Sequence, residues 1–377
     1  MDKNKKRVDL RKNRTKPPRE NAWTRTYDVE GDAGEASVSS ERVRAKGDLS
    51  RKRTIATDGV DGDGDSMPSI DPKTHLSGRV LCVYGLDNLV QLEDGRRFRC
   101  KVRRLLKTLS TDERSVVATG DRVWIRPSLN NDGFIERVEP RHGILTRASK
   151  GREHVLVANV DQVVIVIAIK EPDLKLHLID RYIASAEKGA IAPIICLNKA
   201  DLADPAELQP IIGYYSQLGI QVLLTSARTG YGIDRLCRAL ANRQSVISGQ
   251  SGVGKSSLLN SIQPELALRV RTVSEVNQKG RHTTTTAELI ALTVGGWVVD
   301  TPGIRQFALW DIIPEEMEGY FAEFRPYVPL CAFQDCRHTH EERCAVKNAV
   351  ALRYISEQRY FSYLGMISGE AAEGGEE

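Results

Sequence analysis

No run of apolar residues in this 377-residue chain approaches the length needed to span a bilayer. The opening Met-Asp-Lys-Asn-Lys-Lys-Arg has none of the apolar core of a secretion signal. Membrane association is excluded on this reading, and the cytoplasm is the expected location. Excess charge is also scarce, since 54 Lys and Arg against 50 Asp and Glu leave only +4. Any argument for nucleic acid must therefore rest on where the basic residues lie. A paired cysteine set is missing too: of seven cysteines, Cys82, Cys100, Cys196 and Cys237 are scattered through apparent core segments and three crowd near the C-terminus. That pattern argues against a disulfide framework and for buried thiols beside a metal site.

Apolar periodicity is absent from Met1 to about Thr74, where the composition swings from Lys5-Lys6-Arg7 to Asp61-Gly62-Asp63-Gly64-Asp65. Residues 1–75 are expected to be a disordered tail, too poor in apolar surface to offset ordering entropy, with the basic cluster a candidate RNA contact. Residues 369–377 are expected to form a loose acidic tail. Between these ends, 41% hydrophobic and 28% charged residues describe an ordinary soluble protein of two or three domains.

The central motif is Gly249-Gln250-Ser251-Gly252-Val253-Gly254-Lys255-Ser256, which fits G-x-x-x-x-G-K-[ST] at every fixed position. An apolar Gln244–Ser248 reads as a strand before it, and a helix is expected to run on through Ser257. Backbone N–H groups of such a loop turn inward on a polyphosphate, and the helix N-terminus adds partial positive charge. Lys255 would reach the β- and γ-phosphates, and the Ser256 hydroxyl would ligate Mg2+.

Strand and helix alternate from Gln162: strands are expected at Gln162–Ile169, Ile191–Leu197 and Gln221–Leu224, and helices at Leu176–Ala186 and Ile233–Ala241. The second strand ends in Asn198-Lys199-Ala200-Asp201 and the third in Thr225-Ser226-Ala227. Asp201 can accept from guanine N1–H and the exocyclic amine, a donor pair that adenine lacks. Lys199 can cover the base, Asn198 can tie the base loop to the phosphate loop, and the Ala227 N–H, beside Ser226, can meet guanine O6. The bound nucleotide is thus expected to be GTP or GDP, and an ATP-using enzyme is disfavoured by Asp201.

Further on, Asp300-Thr301-Pro302-Gly303 would hold the magnesium shell through Asp300 and offer the Gly303 N–H to the γ-phosphate. A threonine of Thr283-Thr284-Thr285 completes the metal shell, with Thr284 preferred. The glutamine that positions water in the best-known switch GTPases is lacking; Ile304 follows Gly303. Residues 269–281 are expected to be a mobile switch.

Ahead of this domain, five short strands at Arg79–Tyr84, Leu89–Leu92, Arg97–Val102, Arg122–Ile125 and Phe134–Val138 suggest a small closed OB-fold barrel over residues 76–145. The period of two sends Phe98, Cys100 and Val102 inward and Arg97, Arg99 and Lys101 outward; Arg103 and Arg104 extend that surface, which is expected to bind RNA. Behind the domain lies an expected helix at Pro314–Phe324. Cys331, Cys336 and Cys344, with His338 or His340, then suit a structural tetrahedral Zn2+ site. A final helix is expected over Ala349–Met366.

In most GTPases the phosphate loop precedes the guanine motif; here the order is inverted, so the motifs are circularly permuted. The arrangement closely resembles the ribosome small-subunit-dependent GTPase A family (RsgA/YjeQ) from about Gly78 to about Gly365. The expected fold class is α/β: a circularly permuted P-loop GTPase domain at 150–310, an N-terminal OB-fold β-barrel and a C-terminal helical zinc-binding subdomain at 311–368. The resemblance implies His338 as the fourth zinc ligand and His282 as the residue that orients the attacking water. It implies a monomer that binds the small ribosomal subunit and its rRNA and hydrolyses GTP in late subunit maturation, stimulated by the subunit. The alternative is a GTP-gated RNA-binding protein in which hydrolysis is incidental.

Overall fold

The structure, a computed structural model, describes residues 4–9, 52–57, 70–103, 106, 116–149, 152–266, 287–300 and 314–368. They divide into two compact units: the chain up to Val117 with Arg122–Glu139, and Ala118–Asp121 with Pro140 onward.

In the first unit, β1 (Asn4–Asp9) and β2 (Lys52–Thr57) pair antiparallel, with Lys5 opposite Ala56 and Arg7 opposite Thr54. The rest of the expected tail, up to residue 69, lies outside the described residues. Val8, Thr54, Ile55 and Thr57 are β-branched and favour an extended backbone.

The five expected strands follow as β3 (Leu76–Tyr84), β4 (Asp87–Leu92), β5 (Arg97–Val102), β6 (Arg122–Pro127) and β7 (Asp132–Val138). β3 pairs with β4 and β4 with β5, both antiparallel; β5 pairs with β7 in parallel, β7 with β6 antiparallel, and β6 returns to β3. That last pairing closes an OB-like barrel and leaves no free edge. Alternate residues fill it, among them Val80, Val90, Phe98, Cys100, Ile125 and Ile135. Burial pushes the Cys100 thiol up to about 12, so it is a packing residue and not a reactive one.

The second unit begins with a hairpin of β8 (Leu145–Ser149) and β9 (Arg152–Val157), which sequence reading did not anticipate. Next come β10 (Gln162–Ala168), α1 (Leu176–Lys188), β11 (Ala192–Asn198), α2 (Gln209–Gln217), β12 (Gln221–Leu224) and α3 (Ile233–Leu240). They lead into β13 (Gln244–Ser248), α4 (Lys255–Ile262), β14 (Glu288–Ala291) and β15 (Trp297–Asp300). The strand order is β12-β11-β10-β13-β15-β14, parallel except for the antiparallel β14–β15 pair. Every residue of β10 is buried, as expected for an apolar strand inside a covered parallel sheet.

The C-terminal part packs on the same unit. The helix expected over Pro314–Phe324 is instead a 3-10 segment, Pro314–Tyr320, followed by turns. Bonds from Phe321 N to Glu318 O and from Phe324 N to Phe321 O keep a spacing of three, and both rings are fully buried. The single helix expected at Ala349–Met366 is two, α5 (Ala345–Ala351) and α6 (Glu357–Ser368). Arg353 takes φ 61° between them, and Tyr354 N bonds back to Ala349 O, which turns the chain.

α6 is fixed to α1 through charge. Arg359, 2% exposed, donates to both Glu323 oxygens at 2.6 and 3.2 Å and to Asp180 Oδ1 at 3.2 Å, and lies 4.2 Å from the Phe321 ring centroid. Asp180, fully buried on α1, also accepts from Ser362 at 2.6 Å and Tyr215 at 3.0 Å. The buried charges are thus paired and hydrogen-bonded, the condition on which such groups are tolerated in a core.

Candidate nucleotide site and metal cluster

The phosphate loop joins β13 to α4, as the G-x-x-x-x-G-K-[ST] pattern requires. Two of its glycines are there for space as well as for backbone angle. Gly249 has φ 146° and a Cβ there would run into the Val166 carbonyl; Gly254 has φ 94° and a Cβ would meet the Asn198 side chain. Lys255 opens α4, and its Nζ donates to the carbonyls of Gly249 at 2.7 Å and Gln250 at 2.5 Å, so the ammonium is held over the loop. Ser256 and Ser257 are the next residues of the helix, half-buried in its first turn.

The guanine motif closes on this loop from β11. Asn198, 1% exposed at the strand's end, donates from Nδ2 to the Val253 carbonyl at 2.8 Å. The tie expected of Asn198 is therefore present. Its Oδ1 accepts from Thr225 Oγ1 at 3.3 Å. Lys199 turns the chain with φ 61°, and its Nζ donates to the Glu171 carbonyl. Asp201 Oδ1 accepts from Ser226 Oγ at 2.5 Å. That bond, with Arg228 and Lys199 nearby, holds the Asp201 carboxyl below the usual carboxylate range. Ala227 is tied to α4, its carbonyl accepting from Ser261 Oγ at 3.3 Å.

Sequence reading missed Arg228, whose Nη2 lies 3.0 Å from Asp201 Oδ2. Its place directly after Ala227 was the available signal. The backbone of Asp300 ends β15, whose Val299 lies opposite Val246 of β13, the strand that feeds the phosphate loop. The Asp300 side chain, Thr284, Gly303, His282 and Arg104 lie outside the described residues, as does the switch expected at 269–281.

On the barrel, Arg97 and Arg99 are exposed and Phe98 and Cys100 buried, as the alternation implied. Carboxylates stand beside these basic residues. Asp132 stands opposite Arg99 and Asp87 opposite Lys101, and Arg103 Nη1 pairs with Glu136 Oε1 at 2.9 Å. Strand neighbours distant in sequence supply the acids, and Arg103 belongs in part to the barrel's own packing.

Cys331, Cys336, His338 and Cys344 converge, their ligand atoms all within 4.8 Å of one another. His338 Nδ1 lies 3.6, 3.4 and 3.3 Å from the sulfurs of Cys331, Cys336 and Cys344. Exposed His340 is not part of the cluster; its Nδ1 contacts Thr339 Oγ1 at 3.0 Å. Burial pushes the Cys336 thiol up to about 12 and raises that of Cys344. Only a cation among them would let such thiols act as thiolates near neutrality, and three sulfurs with one imidazole are a donor set that can hold a metal ion.

A phosphate loop after the central β13, preceded in the chain by a guanine motif that closes on it, defines a circularly permuted GTPase. A family model described as RsgA GTPase matches residues 138–310. The small ribosomal subunit biogenesis GTPase RsgA of Sodalis glossinidius is 40% identical over 292 residues, covering 76% of this chain and 83% of that protein. The chain belongs to the RsgA GTPase family. Among solved structures, YjeQ from Thermotoga maritima is similar with TM-score 0.64 and 36% identity, covering 80% of this chain and 100% of that one. YloQ, a circularly permuted GTPase, has TM-score 0.62 and 26% identity, covering 82% and 100%.

Proposed function

We propose that this GTPase binds the small ribosomal subunit through its rRNA and hydrolyses GTP as a monomer in the cytoplasm during late subunit maturation. The subunit stimulates the reaction. The observation that carries the nucleotide reading is the Asn198–Val253 hydrogen bond, which joins the base-reading and phosphate-binding motifs into one pocket. The relatives' name, small ribosomal subunit biogenesis GTPase, carries the partner. No helix among the described residues is long and apolar enough to cross a membrane.

In this reading Asp201 and the Ala227 N–H select guanine, residues 249–257 cradle the phosphates, and the Gly303 N–H senses the γ-phosphate. Ser256, Thr284 and Asp300 would hold Mg2+, which would neutralise charge developing on the phosphates. His282 orients the attacking water, a task Ile304 cannot perform. Cys331, Cys336, His338 and Cys344 would hold a structural Zn2+, and Arg97, Arg99, Lys101, Arg103 and Arg104 contribute to the RNA surface.

The test is GTP and ATP turnover with and without purified small subunits at several salt concentrations, for the native chain and for His282→Ala. We expect GTP selectivity, stimulation by subunits that weakens with salt, and loss of that stimulation in the variant. Turnover indifferent to subunits would overturn the ribosomal reading.

A further inference from the structure

The cluster described above has a feature that its four ligands do not account for. The His338 side chain is fully buried, and while Nδ1 faces the three sulfurs, Nε2 lies 2.9 Å from Glu318 Oε2. A carboxylate only accepts, so the proton of a neutral imidazole must sit on Nε2, and the lone pair must then be on Nδ1. The loop is braced around this geometry. Tyr360 and Tyr363 of α6 donate to the carbonyls of His338 and Arg337 at 2.7 and 3.0 Å, and His338 itself is held at φ 58°. Backbone position is thus supplied by α6, while the ring's protonation state is supplied by Glu318 of the 3-10 segment.

We propose that Glu318 is the positioning residue of the metal cluster: its carboxylate fixes the Nε2–H tautomer of His338, so that Nδ1 is the ligating atom. The inference rests on the reading that the cluster holds a metal. An anionic acceptor on the far nitrogen also raises the basicity of the ligating one, and removing such a partner costs metal affinity about 10–100-fold. Nothing in the sequence flags Glu318, which lies twenty residues before His338 and outside the Cys-x-His spacing.

The experiment uses the full chain and Zn2+ alone as probe, titrated in competition with a chromophoric chelator. Glu318→Ala should lose about 10–100-fold in affinity, and Glu318→Gln, which keeps an acceptor oxygen, should recover most of it. Nitrogen-15 NMR of the native, zinc-loaded chain should show His338 protonated at Nε2 and metal-shifted at Nδ1, a readout that needs no variant to fold. Unchanged affinity in Glu318→Ala, or a proton found on Nδ1, would overturn the proposal. If the native chain bound no stoichiometric Zn2+, the metal reading would fail first, and this inference with it.

Discussion

Asn198 Nδ2 and the Val253 carbonyl are 2.8 Å apart although 55 residues separate them in the chain. The bond is buried at the carboxyl ends of β11 and β13, which are not adjacent strands, since β10 lies between them. It therefore reaches past the intervening strand and ties the base motif to the phosphate loop.

Asn198→Ala leaves the Val253 carbonyl buried without that donor. Loss of one buried partner costs about 1–3 kcal/mol. We expect GDP affinity to fall roughly 5–150-fold, with the fold retained, as measured by titration with a fluorescent GDP analogue.

Asp201→Asn removes the charge and replaces one acceptor oxygen with a donor amide. In the proposed base site two charge-assisted bonds to guanine would be weakened, and GDP affinity should fall roughly 100-fold or more. The amide matches xanthine, which presents an N1–H donor and a C2 carbonyl. Competition between GDP and xanthosine diphosphate checks the reversal; retained preference for GDP would remove Asp201 from the base site.

The Asp201 carboxyl titrates below its ordinary value, chiefly because Ser226 donates to it. For a depressed carboxyl the stabilising bonds are fully present above the unfolded value and are lost only as pH falls through the lowered folded one. In Ser226→Ala the titration, followed by carbon-13 NMR, should move up towards the ordinary range. GDP binding would then weaken at a higher pH than in the native chain.

Arg359→Leu leaves Asp180 buried without its cation. Breaking one side of a buried pair costs about 3–5 kcal/mol. Urea unfolding should show that loss, and Asp180→Leu with Arg359→Leu should cost less than the sum of the single changes, because the two act as one unit.

Metal removal should loosen the aromatic cluster of Phe321, Phe324 and Tyr363 that surrounds His338. Because a cysteine ligates only as the thiolate, loading at pH 7 should release about three protons, one from each of Cys331, Cys336 and Cys344. Calorimetry in buffers of different ionisation enthalpy counts them.

The phosphate loop between β13 and α4 was legible in the sequence because backbone geometry dictates residue type there. Gly249 and Gly254 occupy places where a Cβ has no room, and Asn198 ends a strand whose apolar run is unmistakable, with Asp201 in the turn that follows. The Arg103–Glu136 pair was not legible because Glu136 lies on another strand, and pairing at that range leaves no local mark. The division between α5 and α6 was missed because no glycine or proline interrupts 352–356; Arg353 adopts a left-handed backbone under tertiary contacts. Glu318 and Arg228 escaped because each lies outside the motif whose residue it contacts, His338 and Asp201 respectively.

The order of strands bears on how the protein is made. Of this sheet's strands, β10, β11 and β12 leave the ribosome first and can pair with one another, yet β10 needs β13 on its other side. Between Leu224 and Gln244 a growing chain carries a bare apolar edge for about 1–4 s at ordinary elongation rates. Nascent chains stalled in that interval should be bound by chaperones, and those that include Ser248 should be released.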